Sequence, residues 1–283
     1  MSTSLQRTYR NLRVGIAGTV VLIGVSVVVT TARVGVLPSI SAYYYTPARN
    51  VFVGALVAAA IAMLALSGRG IQRALLDAAA LFAPLVALVP TPIRSGSIPG
   101  FENACGDAAT CVPAAAVAEL DTGVATYLIV GALTVVVAVA ATLVVGGGSF
   151  WLSLPSFAIA GAVLVLVGLA WLFFRDAFVA NAHVVAAVAF FGLIAVVAVA
   201  NAFDNSPSSM PRRWRQTVYW VIAVAMAVDL VALLVVVSAN VLGDFPPPVL
   251  IGEAVALVLF AAFWVVQSIE KWDDADPSIA AYR

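Results

Sequence analysis

Val14–Thr31 reads VGIAGTVVLIGVSVVVTT, and soon after it Pro38–Asn50 reads PSISAYYYTPARN. The first stretch is an unbroken apolar run of the length a membrane-crossing helix needs, about 20 residues. The second is the first polar interruption in an otherwise apolar chain. Pro38 and Pro47 deny it a long helix, because each fixes φ and removes a backbone donor. Tyr43, Tyr44 and Tyr45 lie between them, and tyrosine favours the membrane–water boundary. The segment therefore reads as a re-entrant or interfacial loop, its tyrosines forming an aromatic belt.

The same alternation continues through the chain. Of its 283 residues 63% are hydrophobic and 10% charged, and the mean hydropathy is +1.08. A soluble domain carries about 25% charged residues, so this chain could not cover a water-facing surface. Counting apolar runs places spans at 14–31, 51–67, 74–92, 122–146, 151–174, 178–203, 216–238 and 249–268. The fold class that follows is all-α: one integral membrane domain over residues 1–283, with about eight transmembrane helices. The N-terminal run lacks the short apolar core and small-residue cleavage site of a signal peptide, and is kept as the first span.

Basic residues set the orientation. With the N-terminus inside, ten of the 14 basic residues fall on inner segments. These are Arg7, Arg10, Arg13, Arg69, Arg73, Arg212, Arg213, Arg215, Lys271 and Arg283. Arg33, Arg49, Arg94 and Arg175 fall outside. Both termini are thus expected in the cytoplasm, with the tyrosine loop and Cys105 and Cys111 on the outer face. An oxidising exterior would let those two cysteines pair. Arg212-Arg213-Trp214-Arg215 reads as a positive-inside anchor, and Gly146-Gly147-Gly148-Ser149 as a short inner turn. Heavy use of alanine and valine beside a single lysine, Lys271, fits a GC-rich genome, and hence a bacterial inner membrane. The balance of 14 basic and 14 acidic residues argues against a nucleic-acid partner.

Ionisable residues inside a bilayer are costly and usually face the bundle interior. Four fall within the spans: Asp77, His183, Asp229 and Glu253. Asp77 follows Arg73 by one turn and reads as half of a local ion pair. The other three lie on consecutive helices, roughly 6–14 Å below the outer ends at 1.5 Å per residue. They are expected to share one polar cavity beneath the tyrosines, with Arg49 at its mouth. Ser41 and Tyr44 belong to the same candidate cluster, since a serine–histidine–acid arrangement would need Ser39 or Ser41 to reach His183. Each has a plainer role as well: His183 bonded to nearby backbone, Glu253 serving a helix N-terminus. One histidine in the whole chain does not supply the ligand set of a hydrolytic zinc site. No metal and no cofactor is expected, and no phosphate loop or dinucleotide fingerprint occurs.

At Pro38–Gly54, PSISAYYYTPARNVFVG, the chain resembles a group of uncharacterised bacterial multi-pass proteins. These are distantly similar to the CREST superfamily, which includes the alkaline ceramidases. The likeness continues at Ala87–Thr91, at Ala182–Phe191, and around Tyr219 and Glu253. It implies a membrane-embedded helical fold, with Ser41, Arg49, His183 and Glu253 at the recurring polar positions. The superfamily's hydrolases bind zinc through several histidines, and this chain departs from them in having one.

Three functions follow as alternatives. The first is a protein that binds membrane lipid or another small molecule, or joins a protein partner through its helices or outer loops. The second is a CREST-like lipid hydrolase or transferase. The third is a proton- or cation-coupled transporter using Asp229 and Glu253. Enzymatic activity stays undecided at this level.

Overall fold

The computed structural model describes residues 4–66, 70–145, 150–204, 210–239 and 247–272. Eight α-helices make up the described chain: α1 (Ser4–Val34), α2 (Arg49–Leu66), α3 (Gly70–Leu88), α4 (Ala114–Val145), α5 (Phe150–Phe173), α6 (Arg175–Phe203), α7 (Arg212–Ser238) and α8 (Pro248–Glu270). A 3₁₀ turn, η1 (Ser41–Tyr45), lies between α1 and α2. Seven of the helices are long and apolar enough to cross a membrane. The chain is a multi-pass helical membrane bundle. The turn at Gly146–Ser149, Pro246 and the acidic tail after Trp272 lie outside the described residues.

Alanine decides what sits in the middle. On α3, Ala74, Ala78, Ala79, Ala80, Ala83 and Ala87 are all buried, and the helix packs on α2, α4, α5 and α6. Small side chains let helices approach closely where lipid gives no hydrophobic drive between them. Valine and leucine cover the outward faces; Val136, Val144, Val165 and Val228 are exposed and placed to meet acyl chains.

Several boundaries differ from the sequence reading, each for a local reason. Helix α3 stops at Leu88, not 92, because Pro90 and Pro92 supply no N–H to continue it. Helix α4 starts at Ala114, not 122, so Glu119 and Asp121 are helical and not part of the loop. Only Phe174 separates α5 from α6. Tyr43 and Tyr44 are 1% and 4% exposed, so they are core residues and not a surface belt. Helix α1 closes where Gly35 takes φ 83°, a conformation glycine adopts without Cβ strain, and its N–H bonds the Thr31 carbonyl at 2.9 Å. The chain then turns inward to seat η1.

Two ends of the bundle can be told apart by their contacts. At one end the starts of α1 and α7 meet the ends of α6 and α8. Arg13 donates to the Lys271 carbonyl at 3.1 Å, and the Arg10 guanidinium stacks 4.0 Å over the Trp272 ring. Arg215 pairs with Glu270 at 3.2 Å, Tyr219 donates to the same carboxylate at 2.5 Å, and Gln267 donates to Asn201 at 2.9 Å. Arg215 and Glu270 are both buried, so Arg215 is not the headgroup anchor its neighbours suggested; Arg212 and Arg213 are exposed. Asp77 does pair locally, 3.5 Å from Arg73. The opposite end carries η1, the loop 89–113 and Cys105–Cys111.

Breaking a buried ion pair by removing one partner costs about 3–5 kcal/mol, whereas a surface charge is worth well under 1. Arg215→Ala should therefore lower the thermal midpoint in detergent strongly, and Arg212→Ala should leave it nearly unchanged. Equal melting of the two variants would show that Arg215 is not held as described.

Candidate functional site

Three segments far apart in the chain converge at the disulfide end. Helix α3 ends before Pro90, which leaves its last carbonyls without helical donors. One of them, on Val89, takes the His183 Nδ1 hydrogen bond at 2.7 Å. The other ring nitrogen, Nε2, lies 2.9 Å from Ser41 Oγ. Ser41 Oγ in turn lies 2.6 Å from Glu253 Oε1, and the Ser41 backbone N–H donates to Oε2 of the same carboxyl at 3.1 Å. Ser41 and His183 are buried.

The short turn η1 and the start of α8 also serve each other here. The first N–H groups of a helix have no internal partner. Glu253, in the second turn of α8, accepts the Ser41 N–H at the start of η1. In return the Pro38 carbonyl, just before η1, accepts the Leu250 N–H in the first turn of α8, at 3.1 Å. Ser39 Oγ accepts the Ala42 N–H at 2.9 Å. Pro38, which looked like loop punctuation in the sequence, thus helps to position η1 against α8.

A cavity of about 1100 Å³ runs beside this cluster. Ser41, His183 and Glu253 line it, along with Arg94, Ser97 and Cys111 of the loop 89–113. Its deeper wall is apolar, made by Phe190 and Phe191 of α6, Leu230 and Leu233 of α7, and Ala256 and Leu257 of α8. From Arg175 to Phe190 the lining follows α6 for roughly 20 Å at the helical rise. Arg175, Asp176 and Asn181 stand at the loop end. The space is thus amphipathic along its length, polar where the loops close it and hydrocarbon-like below.

The other candidate residues fall elsewhere. Asp229 is not among the cavity's lining residues, and its Oδ2 is buried without a hydrogen-bond partner. It is therefore not brought to His183 and Glu253. Arg49 forms an ion pair with Glu119 of α4, donates to Tyr44 Oη at 2.8 Å and lies 4.3 Å over the Tyr44 ring. That group lines a separate small pocket of about 210 Å³ and not the mouth of the large cavity. Burial pushes the Tyr44 phenol above its ordinary value, with the Arg49 charge acting the other way, so it stays a neutral acceptor for the guanidinium. The remaining hydroxyls of the triplet are structural pins: Tyr43 bonds Thr31 Oγ1, and Tyr45 donates to the Thr91 carbonyl at 2.7 Å. Asp121 accepts from Trp171 at 3.0 Å and Arg175 at 2.6 Å, fastening α4 to the α5–α6 junction.

Cys105 and Cys111 lie at disulfide distance, with Cα atoms 5.3 Å apart. Ile93 and Cys111 exchange two backbone hydrogen bonds of 2.8 and 2.9 Å, which hold the loop over the cavity.

Among the described residues no group of three or more His, Cys, Asp or Glu could hold a metal ion. The zinc that the CREST resemblance implies does not fit this chain: both nitrogens of its only histidine are already engaged. No family model matches this chain, and neither a curated protein nor a solved structure does.

Serine is the residue whose part the sequence understates. Nothing in P-S-I-S-A separates Ser41 from Ser39; only the packing of α6 and α8 makes one the centre of the cluster and the other a local cap. Removing Glu253 strands the Ser41 backbone N–H, at about 1–3 kcal/mol for a buried donor left unpaired, while the Ser41 hydroxyl keeps His183 Nε2. Glu253→Ala should therefore melt well below wild type in the same detergent. Equal midpoints would mean that the carboxyl does not hold η1.

Proposed function

We propose that this protein binds a membrane amphiphile, with the apolar tail in the 1100 Å³ cavity and the polar head against Ser41, His183 and Glu253. The carrying observation is the cavity itself: its volume is at the top of the range of small-molecule pockets, about 300–1,000 Å³. Its few polar groups gather at one end. A fully solvated substrate would not favour the phenylalanine and leucine wall, and a hydrocarbon alone would leave the polar end unmatched. Positive-inside reasoning places the arginine-rich end in the cytoplasm. The cavity then opens toward the outer leaflet of the plasma membrane, under a loop closed by a disulfide.

The test is to fill the cavity. Ala187 lines it, while Val185 is 61% exposed and not among its lining residues. Protein purified in mild detergent and extracted for mass spectrometry is expected to carry stoichiometric amphiphile as wild type and as Val185→Trp. Ala187→Trp should lose most of it. Equal recovery from all three proteins would refute cavity binding.

A second reading rests on the 2.9 Å contact between Ser41 Oγ and His183 Nε2. A serine hydroxyl touching an imidazole nitrogen is the core of nucleophilic acyl transfer. On this reading the bound amphiphile is an ester: Ser41 displaces the alcohol, and water then releases the acid. An alkyl fluorophosphonate, whose fluoride leaves as Ser41 Oγ bonds to phosphorus, should label the peptide 34–49 in wild type and not in Ser41→Ala. An unlabelled wild-type protein would remove this reading and leave amphiphile binding standing.

A further inference from the structure

The hydrogen bonds around Ser41 count protons. The Val89 carbonyl can only accept, so the His183 Nδ1 facing it at 2.7 Å carries a hydrogen. Nε2 faces Ser41 Oγ at 2.9 Å, and Oγ faces Glu253 Oε1 at 2.6 Å. A hydroxyl has one hydrogen and can give it to one of those two acceptors. If Ser41 donates to Nε2, the contact with Oε1 is a hydrogen bond only when the carboxyl is protonated. If Ser41 donates to Oε1, the contact with Nε2 is one only when Nε2 carries a hydrogen. Both arrangements hold the same number of protons, one more than a carboxylate beside a neutral imidazole.

We infer that Glu253, Ser41 and His183 together form a proton-binding site, in which one proton is shared between carboxyl and imidazole through the serine hydroxyl. That proton fastens η1 to α6 and α8 at the polar end of the cavity. Without it, lone pairs face each other across either the 2.6 Å or the 2.9 Å contact, and the Ser41 hydroxyl loses one of its two ties. The site takes a proton whatever fills the cavity, so it does not rest on the amphiphile reading.

Among the described residues, other charged groups near the site are few and mostly engaged. Arg94 faces the cavity from the loop 89–113, and Arg175 and Asp176 face it from α6. Arg175 is paired with Asp121. Arg49, beyond η1, is paired with Glu119. Helices α3, α7 and α8 contribute no charged group to the cavity lining besides Glu253. None of these offers Ser41 Oγ a hydrogen bond in place of the shared proton.

The sign of the pH effect follows from linkage. In the unfolded chain glutamate titrates near 4.3 and histidine near 6.5. Between those values the unfolded pair also holds one shared-equivalent proton, so stability there does not change with pH. Above about 6.5 the unfolded pair has lost it while the folded site keeps it, and stability falls as pH rises. A buried carboxylate beside a neutral imidazole would do the reverse: stability level above about 6.5 and falling below it. Glu253→Gln is the matching control. Its amide NH₂ can donate to Oγ and its oxygen can accept the Ser41 N–H, so the chain of bonds is complete with no added proton.

The experiment is a set of thermal melts of the full chain in detergent from pH 5 to pH 8. Wild type is expected to be level up to about pH 6.5 and then to drop by roughly 3–5 °C per pH unit. Glu253→Gln should be level above about pH 6.5 and drop on the acid side. A wild-type profile that is level above 6.5 and falls below it overturns the inference, whether or not the variant folds. Parallel profiles for the two proteins overturn it as well. A second measurement uses ¹⁵N-histidine labelling with a histidine-free affinity tag. Every imidazole signal then comes from His183, the single histidine. The signals should stay fixed from pH 5.5 to 8 with Nδ1 protonated; a bare Nδ1, or an ordinary titration near 6.5, rejects the shared proton.

Discussion

Ser41 is held from two sides at once, and much of this end of the bundle depends on that. Its hydroxyl bridges an imidazole 142 residues later and a carboxyl 212 residues later. No span adjoins another in sequence to make this contact; α6 and α8 must both be docked before it exists. The interaction also explains why η1 can be so short. Three consecutive tyrosines and two prolines have little means of stabilising a helix on their own. Glu253 caps the turn, the Pro38 carbonyl repays α8 with an acceptor, and each tyrosine hydroxyl finds a different partner.

The two ends of the bundle manage buried polarity differently. At the end of the termini, Arg215, Tyr219 and Glu270 form an ion pair with an added phenol, and Asn201 and Gln267 continue it as an amide pair. Polar groups there pair across helices and join α6, α7 and α8. At the disulfide end the polar groups line a cavity. A network of this kind away from the cavity acts as a fastening, because breaking it would leave a charge unpaired in low dielectric. A network facing an open space can exchange a partner for a ligand or a proton. That difference in surroundings, and not residue type, is what distinguishes Glu270 from Glu253.

The sequence by itself determined the membrane class, the number of helices and their approximate limits. Apolar runs of membrane-spanning length separated by proline, glycine and charge leave few alternatives, because backbone polar groups in hydrocarbon must be bonded within the segment. It also marked His183 and Glu253, since charge inside a span is costly enough to stand out in any reading. The pairing of Arg73 with Asp77 was legible for a similar reason: four residues on a helix is a fixed distance.

What only the tertiary structure decided was which polar residues meet. Asp229 was as conspicuous in the sequence as His183, yet the rotation of α7 leaves it off the cavity. Helical periodicity places a residue on a face, but which neighbour that face meets depends on packing across several helices. Arg49 was taken to the small pocket by Glu119, a residue that seemed to belong to a loop until α4 began a turn and more earlier. Arg215 looked like its two neighbouring arginines and was buried by a glutamate 55 positions away. Ser41 was one of two serines in its segment and stood out only through the family resemblance, and it became the centre of the site because its single hydroxyl can both give and accept. The physical reason is the same throughout: the cost of burying a polar group is local and readable, but whether a partner offsets it, and which, depends on where the fold brings one.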